Sequence, residues 1–440
     1  MSQYTLMKSR RFLPLFCVQF LGAMEDNIFK NALIIFITFT LSDTLAVNSS
    51  ILVALSGGVF ILPYFLVSAT AGQVADKYEK SYLIRRITFS EVMIMAFALT
   101  GFISQSVVIL MTVLFLTGIQ SAFFGPLKYA ILPQHLRVEE LTGGNGMIQM
   151  GTFLAILIGT IIGGMLVAID GYGIYLVSLL AVTVAAAAWI ASWYIPVAPA
   201  SDDCIRIDWN MARQTWHILR YSCADKNVFI AIIAVSWFWF LGATYLSLVP
   251  TYTRDVLMGD ERVATILLTA FSLGIGAGSL LCERLSKGGI EPGLVPIGAL
   301  GLTLFAIDLF ITGTPHVHQG AVAMGASEFL TYFVHWRILF ALTAIGFFGG
   351  IYIVPLYAMV QHRSSPEYQA RIIAANNILN AIFMVASALL VIVLIKLALT
   401  IPQIYLVLGV LNLIITSIIF IKFPEYMQRF SDLLRKPGRT

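Results

Sequence analysis

Read for its apolar and polar positions, the chain is a series of long apolar blocks separated by short polar connectors. Residues 51–71, 92–119, 152–169, 174–196 and 401–421 contain at most one charge between them. Each block can cross a hydrocarbon core of about 30 Å as a helix, which takes roughly 20 residues. A backbone in lipid must satisfy its own hydrogen bonds, so repeated blocks of this kind predict helices. The barrel alternative would need roughly ten-residue segments of alternating polarity, and the chain does not show them. The pattern predicts an all-α membrane protein with twelve spans, at 12–40, 50–72, 85–104, 107–131, 143–169, 173–196, 227–253, 262–284, 293–313, 337–361, 370–398 and 401–421.

Composition agrees with this: of 440 residues, 59% are hydrophobic and 11% charged, whereas a soluble domain carries about 25% charged residues. The net charge of +4 does not point to nucleic acid, because the bases lie in the connectors, where they set topology. With the N-terminus placed in the cytoplasm, 21 of the 27 lysines and arginines fall on that side, the tail's Lys436 and Arg439 among them, and four outside. The bias predicts that both termini are cytoplasmic. The basic start followed by an apolar run looks like a signal peptide, but the run continues through Glu25, Asp26 and Lys30 without a small-residue cleavage site, so it reads as a retained first span. Cys17, Cys204, Cys223 and Cys282 lack metal-ligand spacing, and no metal or other cofactor is expected.

The longest polar stretch, 197–226, separates two halves. The expected organisation is a six-helix bundle at 1–196, a cytoplasmic linker at 197–226, a second six-helix bundle at 227–421 and a cytoplasmic tail at 422–440. Short matches recur between the halves in helix order. Phe20-Leu21-Gly22-Ala23 returns as Phe240-Leu241-Gly242-Ala243, Pro126-Leu127 as Pro355-Leu356, and Asn145 with Gln149 as Asn376 with Asn380. Such a parallel repeat is how the halves of a major facilitator transporter are related.

The stretch Gly72-Gln73-Val74-Ala75-Asp76-Lys77-Tyr78-Glu79-Lys80 falls between the second and third spans and resembles the G-x-x-x-D-[RK] loop of the major facilitator family. Its own chemistry reads as a glycine-permitted turn with an acid flanked by bases. The resemblance implies that Gly72, Asp76, Lys77 and Lys80 form a gate whose acid changes partners during transport. Further stretches narrow the likeness: Gln19 to Asn27, Lys128-Tyr129, Asn145-Gly146 and Val354-Pro355-Leu356 resemble the bacterial lysophospholipid transporter family. Ser9 to Pro14, Ser236 to Ala243 and Arg371 to Asn377 are most similar to a branch fused to a lysophospholipid acyltransferase and an acyl-carrier-protein ligase. Stand-alone members carry an arginine in the middle of the seventh span, where this chain reads Thr244-Tyr245-Leu246. The resemblance implies a secondary transporter of the bacterial inner membrane that flips lysophospholipids, chiefly lysophosphatidylethanolamine, from the outer to the inner leaflet by alternating access.

Charges within a span cost about 2.5–3.5 kcal/mol each on insertion scales, so they call for a reason. Asp26 and Lys30 are four apart, share a helix face and can pair, while Glu25 points about 100° away. Lys128 is the first choice for a phosphate contact, and Glu91 for the ethanolamine ammonium or for a pair with Lys128. Asn27 adjoins the charged stretch, and Asn145, Gln149, Asn376 and Asn380 form amide faces that suit a headgroup or helix-to-helix hydrogen bonds. Gly159 and Gly163 have the spacing of a packing face.

Together with the resemblance, these residues imply that a lysophospholipid enters sideways among membrane lipids, with its headgroup between charges of both signs. Asp26 is the best candidate to bind a coupling cation, a proton or sodium. The resemblance implies a lysophospholipid acyltransferase as a partner enzyme, fused or separate. A cation-coupled exporter of amphipathic drugs or metabolites would use the same charges. An acyltransferase activity of this chain itself would need a His-x4-Asp pair, and no histidine here has Asp five residues on.

Overall fold

The computed structural model describes residues 3–40, 49–313 and 324–435, so Lys436 and Arg439 of the basic tail lie outside the described residues. Within them the regular structure is helical apart from one isolated bridge between Gly259 and Met324. The helices are α1 (Leu13–Ile35), α2 (Ser49–Lys77), α3 (Lys80–Ile103), α4 (Val107–Ala130), the single turn α5 (Leu132–His135), α6 (Val138–Val167), α7 (Gly173–Ser192) and α8 (Met211–Ser222). They continue as α9 (Lys226–Asp255), α10 (Glu261–Leu285), α11 (Leu294–Thr312), the single turn α12 (Ala326–Phe329), α13 (Phe333–Arg363), α14 (Gln369–Lys396), α15 (Ile401–Lys422) and α16 (Glu425–Arg435).

Among the described residues, 11 helices are long and apolar enough to cross a membrane. The 23-residue α1 has the length as well, and falls outside that class through Glu25, Asp26 and Lys30. With it, the described residues hold the twelve long helices that the apolar pattern predicts.

Helix ends follow side-chain chemistry. Pro14 stands at the start of α1, where a missing N–H costs nothing. Glu79 caps α3, Ser106 caps α4, Asp260 caps α10, and Thr400 with Gln403 forms a capping box on α15.

One expectation is corrected here. The stretch from Gly72 to Lys80 is not a loop with a glycine turn. Helix α2 continues through Lys77 and α3 begins at Lys80, leaving only Tyr78 and Glu79 between them. Gly72 is helical, and it is small because α14 lies against it: a Cβ there would sit 2.8 Å from the Ala374 Cβ and 3.0 Å from the Arg371 Cα.

The chain forms two compact units. The first comprises residues 1–137, 154–226 and 361–381, and the second 138–153, 227–360 and 382–440. The division cuts α6 after Phe153 and α14 after Ala381. In the first unit, Ile28, Phe29, Leu33, Met95, Phe102 and Leu110 form the centre of a buried core. There α6 approaches α1 closely, since a Cβ at Gly159 would collide with the Met24 carbonyl and one at Gly163 with the Ile28 carbonyl. In the second unit, Phe153 packs on Phe238, Trp239 and Phe271. Asn412 accepts a hydrogen bond from the Trp237 indole at 2.8 Å and donates to Thr303 at 2.9 Å, tying α9, α11 and α15. The tail helix α16 lies against Gly293, with Tyr426 fully buried.

Candidate functional site: the charged stretch of α1

The first unit gathers the charges of α1, α3 and α4. Glu25 and Asp26 are neighbours in sequence and so lie about 100° apart around the helix. Glu25 is fully buried, and Glu91 of α3 is 3% exposed. Asp26 is half-buried, as are Lys30 and Lys128. One carboxylate oxygen from each of Glu25, Asp26 and Glu91 lies within 4.8 Å of the others.

Helix α4 supplies polar partners from adjacent positions. Gln120 Nε2 donates to Glu91 Oε2 at 3.0 Å, and Ser121 Oγ donates to Asp26 Oδ2 at 3.1 Å. Lys128 stands seven residues after Ser121, two turns along the same face. It is near enough to Asp26 for each charge to act on the other. Gly22 lies beside Glu91: a Cβ there would meet Glu91 Oε1 at 3.4 Å, an ordinary contact.

Two sequence expectations change. Asp26 and Lys30 share a face, yet the Lys30 ammonium sits 4.0 Å from the centroid of the Phe60 ring on α2. Glu91 does not pair with Lys128, because its neighbours are Gln120 and Glu25. The Lys128 ammonium lies 4.8 Å from the Tyr129 ring centroid. Among the described residues, neither lysine has a carboxylate oxygen within 4.0 Å. A ring face attracts a cation without removing the need for an anion.

The amides take varied roles. Asn27 Nδ2 donates to the Ala23 carbonyl of its own helix at 2.7 Å and packs against Gly159. Asn145 Nδ2 donates to the Leu141 carbonyl at 2.9 Å. Asn145 and Gln149 are buried and belong to the second unit, whereas Asn376 and Asn380 belong to the first. Asn376 Oδ1 and the neighbouring Asn377 Nδ2 have no hydrogen-bond partner among the described residues, and Asn377 faces Gly125 of α4.

At the end of α2 the acid is fully engaged. Asp76 is completely buried. Its carboxylate accepts from the backbone N–H groups of Ala370 (3.0 Å) and Arg371 (3.3 Å) at the start of α14, and from Arg371 Nε at 2.8 Å. Helix N-termini favour an anion in this place. Arg371 also reaches Asp202 at 3.2 Å and stacks 3.9 Å above the Tyr368 ring.

The same turn holds the connector that follows α7. The Asp76 carbonyl accepts from the N–H groups of Ser201 and Asp202. The buried Lys80 ammonium donates to the Pro199 carbonyl at 3.2 Å and to Ser201 Oγ at 2.9 Å. Gln73 accepts from the Asp208 N–H at 2.9 Å. Glu79 is partly buried, which alone would raise its pKa, but hydrogen bonds from the N–H groups of Ala198, Ser81 and Tyr82 hold it below the usual glutamate range. Lys77 lies 5.8 Å from the Tyr78 ring centroid, with its ammonium over the ring. Gln73, Asp202, Gln120 and Ser121 escaped the sequence reading. The two α4 residues carry a readable signal, as adjacent polar positions within an apolar span.

Comparison with known proteins completes the picture. The family model described as Major Facilitator Superfamily matches residues 15–388. The chain is 27% identical over 373 residues to the lysophospholipid transporter LplT of Serratia proteamaculans (strain 568), covering 81% of each chain. It is 26% identical over 313 residues to the lysophospholipid transporter LplT of Photorhabdus laumondii, covering 69% of each. Among solved structures, the human organic anion transporter MFSD10 (TETRAN) is similar with a TM-score of 0.72 and 14% identity, over 91% of this chain and 97% of that one. The transporter FucP in the outward conformation gives 0.68 and 14%, over 95% and 98%. Likeness at this identity shows a shared fold.

Proposed function

Because this chain belongs to the Major Facilitator Superfamily, and so is a multi-pass membrane transporter rather than an enzyme, we propose that its cargo is a lysophospholipid with a zwitterionic headgroup, chiefly lysophosphatidylethanolamine. The observation that carries this reading is the arrangement of Asp26 and Lys128. They are opposite charges, half-buried, on helices of one unit, and among the described residues neither is neutralised by a direct ion pair. A phosphate beside Lys128 and an ammonium beside Asp26 would supply the two missing partners, and buried charge requires such pairing. The curated lysophospholipid transporters to which the chain is similar support the same cargo.

In this reading transport is by alternating access, with the linker 197–226 and both termini in the cytoplasm. The lipid comes sideways from the outer leaflet and its acyl chain stays against apolar side chains. The Asp76–Arg371 bond closes the cytoplasmic end in one arrangement and opens in the other. A lysophospholipid acyltransferase, separate or fused, would consume the product at the inner leaflet. Asp26 is the candidate to bind a coupling cation, a proton or sodium.

Uptake of headgroup-labelled lysophosphatidylethanolamine into proteoliposomes tests the proposal. Lys128→Ala and Asp26→Asn each remove one charged contact, and are expected to lower uptake by about tenfold or more, since a hydrogen bond to a charged group contributes about 1.5–3 kcal/mol. Wild-type uptake no higher than in empty liposomes, under proton and sodium gradients alike, would overturn the cargo assignment and favour an exporter of other amphiphiles.

A further inference from the structure

Glu25 presents a problem that the lipid site does not solve. It is fully buried, and neither of its carboxylate oxygens has a hydrogen-bond donor among the described residues. Asp26 Oδ1 also lacks a donor. Glu25 faces Glu91, and the two acids and Asp26 each bring an oxygen within 4.8 Å of the others. If all were ionised, three carboxylates would stand against the two ammonium groups of Lys30 and Lys128, leaving one negative charge in excess. A zwitterionic lipid adds no net charge, so it cannot correct that excess. An ionised carboxylate without donors in a water-poor interior is strongly disfavoured.

We propose that Glu25 and Glu91 hold one exchangeable proton between them, forming a proton site separate from the Asp26–Lys128 headgroup site. When the proton is bound to a Glu25 oxygen, the new O–H donates to Glu91 or Asp26. Both orphan oxygens of Glu25 then belong to a neutral acid, and the five-group cluster has no net charge. Gln120 already donates to Glu91 Oε2, which favours keeping Glu91 as the acceptor. Asp26 Oδ1, likewise buried and without a donor among the described residues, lies beside the pair.

The charged and titratable groups around the pair are few. They are Asp26 and Lys30 on α1, Tyr64 on α2, and Lys128 on α4. From Val138 to Ser192, the lengths of α6 and α7, the others are Glu139 and Glu140 in the first turn of α6, Asp170 and Tyr172 in the connector, and Tyr175 in the first turn of α7. A metal cation would need about six oxygens if it were as demanding as calcium or magnesium. Gln120 and Gly22 both lie against Glu91, and a proton needs only two oxygens.

The proposal uses the transporter reading for its purpose but not for its existence, so it is tested first without any lipid. Infrared difference spectra of the purified full-length protein at about pH 7, where exposed carboxylates are ionised, should show a protonated-carboxyl band that shifts in D2O. That band should be lost in Glu25→Gln and perturbed in Glu91→Gln, and should persist in Asp26→Asn. Absence of a protonated band in folded wild type, or its persistence in Glu25→Gln, overturns the assignment. Displacement of the band by sodium would also overturn it, by making sodium the occupant. Folding of each variant is checked by its helical circular dichroism and thermal transition. In proteoliposomes, an imposed pH gradient should accelerate wild-type uptake, and Glu25→Gln should lose that acceleration. If the band behaves as proposed but no lipid is carried, the proton site stands and the cargo assignment alone fails.

Discussion

The acid at the end of α2 and the acids in the middle of α1 are both buried, yet their neighbours treat them in opposite ways. Asp76 has its carboxylate filled by two backbone N–H groups and a guanidinium, and its carbonyl filled by two more N–H groups. Glu25 has no donor among the described residues, and the nearby lysines rest over aromatic rings. A charge with every bond made holds structure together in that state. A charge left short of partners is positioned to take one from outside, whether proton or headgroup. The comparison suggests reading the end of α2 as a latch and the middle of α1 as the working site.

The largest expected effect tests the latch. Asp76→Ala leaves the Arg371 guanidinium, shielded by Tyr368, without its nearest anion. Removing one member of a buried pair costs about 3–5 kcal/mol, so the thermal midpoint of the detergent-solubilised protein should fall clearly. Glu25→Gln should cost less than about 1 kcal/mol, because it replaces a neutral, protonated acid by a neutral amide of the same shape that can still donate to Glu91. If Glu25→Gln destabilises as much as Asp76→Ala, the contrast between the two regions is wrong. Both are read from the same melts, monitored by tryptophan fluorescence.

Much of this was legible in the sequence, for physical reasons that also mark where legibility ends. Apolar block length reports a span directly, so the twelve long helices follow from the chain alone. The helix-internal position of Gly72 does not. Glycine reads locally as a turn former, and only the presence of Ala374 and Arg371 from 300 residues away turns it into a contact surface. The charges of α1 were visible because charge within an apolar span is rare. Their partners were not, since a four-residue spacing says that Asp26 and Lys30 can meet, while the competing Phe60 ring belongs to another helix. Lys80 appears in the sequence as one base of a charged motif. That its ammonium is buried against Pro199 and Ser201 depends on the path of a connector more than 100 residues later.

That connector offers the next test. Lys80→Met keeps the apolar stem and deletes the two bonds to the connector. A loss of about 1–3 kcal/mol is expected, the cost of leaving buried polar groups unsatisfied. Hydrogen exchange should show faster opening of residues 198–208, with the α1 charges unaffected. Equal acceleration across both regions would mean that they are one cooperative element, and the division between latch and working site would have to be abandoned.

The smallest effect separates the capping function of Glu79 from its charge. Its carboxylate accepts from the N–H groups of Ser81 and Tyr82 at the start of α3 and from Ala198 of the connector. Those bonds favour the ionised form, so its pKa in the folded protein lies below the unfolded value of about 4.3. The unfolded chain therefore binds more protons in the window below that value, and stability rises with pH there. The contribution is fully present above the unfolded pKa and is lost as pH falls through the folded one. Glu79→Gln keeps an oxygen that can accept but has no charge to lose. It should cost about 1 kcal/mol at neutral pH, in the range of an N-cap replacement, and that difference from wild type should shrink as pH falls below about 4. Melts of the two proteins across that range decide the matter. A constant difference at every pH would show that Glu79 acts through geometry alone, and that even the latch end of the molecule owes less to charge than its hydrogen bonds suggest.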